Sequence, residues 1–200
     1  MVSAANKPAS DALIKFGTPD DYLQLYLPEL AKTSSQDGCE IHIVNELSPN
    51  LMAMVDSGEL DLALFTDSSS DATSRISTQP LSWVSSPGFI HDTRKPFPLA
   101  LFPKGCQVRD SAITILKERN ISHQVVFSSI QFSPLLSTII AGHAIGVFPS
   151  NATPPGLQHY RSHHLPALPD VNISLKLALG ASCAVRNLAS SIAERLSLTA

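Results

Sequence analysis

Apolar and polar positions change period repeatedly along the chain, and each change marks an element. Leu13–Gly17 (LIKFG) reads as a short strand. Tyr22, Leu23, Leu25, Tyr26, Leu27 and Leu30 then recur at helical spacing, with Pro28 predicting a kink or a local disturbance. Cys39–Asn45 alternates around Ile41 and Ile43, as a half-buried strand does. The next helical stripe has Ser48 as N-cap, Pro49 at its first position and Gly58 as its stop. Glu59–Thr66 (ELDLALFT) is a nearly unbroken apolar strand. Strand, helix, strand, helix, strand in this order predicts a parallel sheet with crossover helices.

The pattern then repeats. A polar loop (Ser68–Ser74) and a long extended segment (Ile76–Gly88) lead to a second unit. Pro98–Pro103 reads as a strand, and Asp110 caps a helix through Asn120. His123–Ser129 is a strand, Gln131–Gly142 a helix and Ala144–Ser150 another strand. Proline-rich loops follow, and the chain closes with a strand (Val171–Gly180) and a helix (Ala184–Leu196). Two such α/β units joined by crossing segments imply a gap between them. Ligands of open parallel sheets bind beyond the carboxyl ends of the strands. Those ends here carry GTPD, FT, SSI and FPS, small and hydroxyl residues suited to lining a small-molecule site.

Composition narrows the function classes. Of 200 residues, 44% are hydrophobic, enough for a packed core and against disorder. No apolar run reaches the roughly 20 residues of a membrane span, and residues 1–12 lack the apolar centre of a signal peptide. That leading stretch reads as a linker remnant or disordered lead, and the protein as cytoplasmic. Cys39, Cys106 and Cys183 are odd in number and lack metal-ligand spacing, so free thiols are expected. From Asp11 to Asp71 there are 12 acids against Lys15 and Lys32, while the remainder is net basic. The basic residues are scattered and form no nucleic-acid stripe.

Six stretches in order carry a resemblance: Gly17–Leu30, Ser57–Thr66, Pro80–Gly88, Leu99–Asp110, Ala141–Leu157 and Leu165–Leu175. Together they resemble the effector-binding domain of LysR-type transcriptional regulators. The resemblance implies the type 2 periplasmic-binding-protein fold, an α/β fold of two Rossmann-like lobes joined by crossing segments. Lobe I would be residues 13–86 and 165–200, and lobe II residues 87–164. It further implies a winged helix-turn-helix ahead of residue 1, absent here, through which alone DNA would be bound. Position by position, it implies an effector site at Thr18, Pro19, Asp20 and Thr66 in lobe I. In lobe II it implies Cys106, Arg109, Ser128, Ser129, Gln131, Phe148 and Pro149. The family's head-to-tail homodimer, within a tetrameric full-length protein, would use Tyr22, Leu23, Tyr26, Leu27 and Leu30 against Phe132, Leu135, Leu136 and Ile139. No cofactor, metal or membrane partner is implied.

Simpler readings stand beside these. Thr18 and Asp21 form a capping-box-like pair with Pro19 between them, which explains GTPDD as a helix start. Two carboxylates there would repel a carboxylate effector unless Lys104 or Arg109 reached the gap. Cys106 can be a packed thiol, an effector contact or a redox sensor. Trp83 reads as core or hinge packing, and His159–His164 as a solvated loop rather than a zinc site. No hydrolase, kinase or dinucleotide motif is present, so an enzyme is not expected. The alternative to a regulator is the solute-binding protein of a transporter. With residues 11–86 and 165–200 together net −8 and lobe II net +4, opposite charges would favour antiparallel pairing of two copies.

Overall fold

The computed structural model describes residues 13–37, 39–67, 74–150 and 153–198. The first half begins with β1 (Leu13–Thr18), α1 (Asp20–Asp37), β2 (Glu40–Asn45), α2 (Ser48–Asp56) and β3 (Leu62–Asp67). β1 pairs parallel with β2 and β3, as the repeated strand–helix order requires. β4 (Arg75–Gln79) and β10 (Val171–Leu177) complete a five-stranded sheet of order β2-β1-β3-β10-β4, with β10 antiparallel to both neighbours.

The second half contains β5 (Leu81–Ser85), β6 (Phe97–Leu101), α3 (Gln107–Glu118), β7 (His123–Ser128), α4 (Phe132–Ile140), β8 (Gly146–Pro149) and β9 (Gln158–His159). β6 and β7 pair parallel, and β8, β5 and β9 pair antiparallel. A parallel bridge from Leu99 to Ile145 joins these two sets. α5 (Cys183–Leu198) returns to the first half. Residues 1–12, the bulk of the Ser68–Ser74 loop and Asn151 lie outside the described residues.

The first sheet is buried on both faces. Ile14, Phe16, Leu62, Leu64 and Ile173 pack with Leu188 and Ile192 of α5 on one side. Leu51 and Val55 of α2 pack with Leu60 and Ala63 on the other. Gly17 belongs to this second layer. A Cβ there would lie 2.5 Å from Leu60 Cδ1 and 2.7 Å from Leu51 Cδ2, so the glycine lets α2 approach the strand. The second half has its own layers. Leu81, Trp83, Leu99 and Val147 face Val108, Ala112 and Leu116 of α3, while Val84 and Ala100 face Leu135 and Ile139 of α4.

Several sequence expectations need correction. β5, expected in lobe I, pairs in the second sheet, so the chain changes sheets at Pro80 rather than after residue 86. Pro80 splits an extended segment that has no change of hydrophobic period, which hid the boundary. Ser48 is not the cap of α2: Leu47 takes that place, and the Ser48 hydroxyl accepts the Thr66 N–H at 3.0 Å. α3 starts a turn earlier than expected, with Cys106 at the N-cap. Asp110 instead reaches back to accept the Gly105 N–H at 3.1 Å. α1 runs from Asp20 to Asp37 with Pro28 inside it. The two-residue β9 is too short to show a period, and it occupies part of the expected His159–His164 loop.

Candidate functional site

The carboxyl end of β1 and the start of α1 form one wall. Thr18 is fully buried and its hydroxyl donates to Pro19 O at 3.2 Å. The Tyr22 N–H also donates to Pro19 O at 3.2 Å. Tyr22 turns inward, its hydroxyl 3.2 Å from Thr66 Oγ1. With Ser48 on the Thr66 N–H, this makes a buried chain linking the ends of β1 and β3. Thr66 is thus committed to internal hydrogen bonds, and Tyr22 and Ser48 are site-bracing residues that sequence reasoning missed. The only sequence signal for them was position, one beside each strand end.

Two carboxyl groups stand at this wall. Asp20 accepts the Asn45 side-chain N–H at 3.0 Å and, across the gap, the Phe132 N–H at 2.7 Å. Burial pushes the Asp21 pKa up to about 7; the neighbouring Asp20 charge acts in the same direction, and the N–H groups of Asp21 and Tyr22 oppose it. The Thr18–Asp21 capping box is therefore not what forms: Thr18 turns to Pro19, and Asp21 takes the N–H groups of its own turn.

The other wall comes from β6, α3, β7 and α4. Arg109 lies in the first turn of α3, where its guanidinium donates to Phe102 O at 2.7 Å and Ser128 Oγ at 3.3 Å. This ties the ends of β6 and β7 together. Ser129 Oγ accepts the Gln131 N–H at 3.0 Å and shapes the turn into α4. The Cys106 thiol is pushed up to about 11, first by burial and then by the charges of Asp21 and Asp110. A thiol held protonated is a poor nucleophile, which disfavours the redox-sensor reading. The hydrogen bond from Phe132 N–H to Asp20 brings the two walls face to face. Leu47 and Gly105 approach from the same two sides, since a Cβ on Gly105 would sit 3.7 Å from Leu47 Cδ1.

The sequence and the fold both have known relatives. A family profile described as the LysR substrate binding domain matches residues 10–195. The chain belongs to this family. The HTH-type transcriptional regulator DgdR of Burkholderia cepacia is 29% identical over 169 residues, covering 82% of this chain and 57% of DgdR. The chain thus spans little more than half of that relative. Among solved structures, the regulatory domain of the Salmonella typhimurium HypT M206Q mutant aligns with a TM-score of 0.72 at 16% identity. That alignment covers 96% of this chain and 100% of HypT's. The CcmR regulatory domain of Synechocystis PCC6803, solved in complex with 2-PG, aligns with a TM-score of 0.70 at 11% identity. It covers 94% of this chain and 97% of CcmR's.

In this LysR domain the expected site residues divide by depth. Pro19, Asp20, Cys106 and Arg109 are half-buried at the facing walls, and Ser128 and Gln131 are exposed. Phe148 and Pro149 are buried instead. Phe148 stacks edge-on against Phe132 at 5.5 Å inside the second half's core. It supports the wall from behind rather than lining it. The expected pairing surface changes more. Tyr22, Leu30, Phe132, Leu135 and Ile139 are buried in the chain's own core and offer no outer face. Each helix has one apolar stripe, and that stripe is spent on its own sheet. Leu23 and Leu136 are half-buried, Leu27 and Ile140 are exposed, and the side chain of Tyr26 lies outside the described residues.

Other features fall outside the gap. Trp83 in β5 donates its Nε1–H to Pro166 O at 2.9 Å, tying the second half to the segment that returns to β10. It borders an open cavity of about 650 Å³ with Tyr160, Arg161 and His163. Arg109 also borders a second cavity, about 560 Å³, between α3 and β7 with Lys104, Lys117 and His123. Among the described residues, no group of three His, Cys, Asp or Glu side chains could hold a metal ion, and no helix is long and apolar enough to cross a membrane. Among the described residues, no disulfide involves Cys39, Cys106 or Cys183.

Proposed function

We propose that this LysR domain binds a small-molecule effector in the gap between its halves, and that the occupied gap sets their relative orientation. In the regulator to which the domain would belong, that orientation would govern DNA binding by a separate N-terminal domain. The observation that carries the reading is the convergence of polar groups from both halves on one gap: Asp20 and Asp21 from the first, Cys106, Arg109 and Ser128 from the second. A ligand touching both walls binds one arrangement better than another, which is the requirement for shifting a conformational equilibrium. The 2-PG complex of CcmR supports a small-molecule role for the shared fold. The family match favours a regulator over a transporter's solute-binding protein. We read the domain as a cytoplasmic binding module without catalysis of its own.

The same reading includes a head-to-tail homodimer. The exposed Leu27 on α1 and Ile140 on α4 remain available to a second copy, with half-buried Leu23 and Leu136 beside them. Moving the lobe boundary to Pro80 leaves the charge imbalance unchanged, because residues 81–86 carry no charge. Sedimentation of Leu27→Glu and Ile140→Glu is expected to give monomers, and raised salt to weaken the wild-type dimer modestly. The effector reading is tested by a thermal-shift screen of small metabolites, repeated on Ser128→Ala and Arg109→Ala. Ligand binding to the native state raises its melting temperature by mass action. A hit whose shift shrinks in both variants supports the gap, and a hit unaffected by either places its binding elsewhere.

A further inference from the structure

The Asp20 carboxylate does something that a helix start does not require. It leaves its own helix and accepts the first N–H of α4, Phe132 N, at 2.7 Å. The two residues are 112 positions apart and belong to opposite halves. Among the described residues, this is the one side-chain hydrogen bond that joins the halves away from the crossing segments. The α4 N-terminus is short of other means to satisfy that N–H. Gln131 stands at the N-cap but makes no side-chain capping bond. Ser129 Oγ is already committed to the Gln131 N–H. Pro134, third in the helix, has no N–H, so Phe132 and Ser133 carry the donors of the first turn. A carboxylate is the favoured partner for such a site, because the helix dipole strengthens the bond. The other Asp20 oxygen is held by Asn45 at the end of β2, which fixes the carboxylate's aim.

We propose that Asp20 is a clasp across the gap: its carboxylate holds the N-terminal N–H of α4 and keeps the two halves closed before any ligand enters. Asn45 is its positioning residue. The clasp deepens the effector reading, because a ligand entering the gap works against this contact. Its test needs no ligand, so the clasp and the effector reading can fail separately.

The direct readout is amide hydrogen exchange at Phe132, combined with small-angle X-ray scattering of the unliganded chain. In Asp20→Ala the Phe132 amide is expected to exchange on the order of ten- to a hundredfold faster, as befits loss of a hydrogen bond to a charged group. The amides from Leu135 to Ile140 should stay protected, showing that α4 remains folded, and the radius of gyration should rise. Asp20→Asn keeps a neutral acceptor and should fall between wild type and Asp20→Ala. Asn45→Ala, which leaves the carboxylate but frees its aim, should shift both readouts the same way by less, and it stands in if Asp20→Ala fails to fold. Unchanged Phe132 exchange would overturn the proposal. Faster exchange with unchanged scattering would overturn it too, because the contact would then exist without holding the halves.

Discussion

The two halves share an α/β plan but build their walls of the gap differently. In the first half the polar residues at the strand ends turn inward. Thr18 is fully buried, and Ser48, Thr66 and Tyr22 form an internal hydrogen-bonded chain. In the second half Ser128 and Gln131 stand outward and exposed, and half-buried Arg109 bridges two strand ends. One wall is braced by buried polar bonds and carries the acids. The other carries the Arg109 guanidinium and the Phe132 N–H as donors. Under the proposed effector reading, the first wall supplies rigidity and the second ligand discrimination.

Substitutions can break that contrast, and the largest effect is expected behind the second wall. Phe148→Ala removes a buried ring stacked on Phe132, and chemical denaturation should show a loss of about 3–5 kcal/mol. A loss below about 1 kcal/mol would return Phe148 to the lining. Tyr22→Phe cuts the internal chain of the first wall and leaves Thr66 Oγ1 without that partner. A cost of about 1–2 kcal/mol is expected by the same measurement. Asp21 gives a pH dependence. Its pKa is raised from the ordinary 3.8 to about 7, so the folded state keeps a proton that the unfolded chain releases between those values. The contribution is fully present below about pH 4 and is lost as pH rises through about 7. Thermal melts of wild type against Asp21→Asn across that window should show this slope in the wild type alone. Ser128→Ala sits at the small end: an exposed hydroxyl should cost under about 0.5 kcal/mol of stability while still lowering effector affinity.

Element order was legible in the sequence because the period switches were clean: LIKFG, EIHIVN and LALFT each fall in an observed strand. The proposed site was read from the ends of those strands. Side-chain depth did not. One apolar stripe on α1 or α4 looks the same whether it covers its own sheet or a partner, so the expected pairing surface contained Tyr22, Leu135 and Ile139, which are core. Phe148 was misplaced for a related reason, since strand ends contribute both to a rim and to the packing beneath it. The Asp20–Phe132 contact joins residues 112 positions apart, and no local pattern signals it. Asp20 and Asp21 look equivalent in sequence, yet one reaches across the gap and the other is held by its own turn.

The most direct test of the two-walled gap is hydrogen exchange mapped over the whole chain with and without a ligand found in the thermal-shift screen. New protection is expected in two places at once, Thr18–Tyr22 in the first half and Ser128–Gln131 in the second. Protection confined to one half, or gathered around Tyr160 and His163 at the 650 Å³ cavity, would contradict the account.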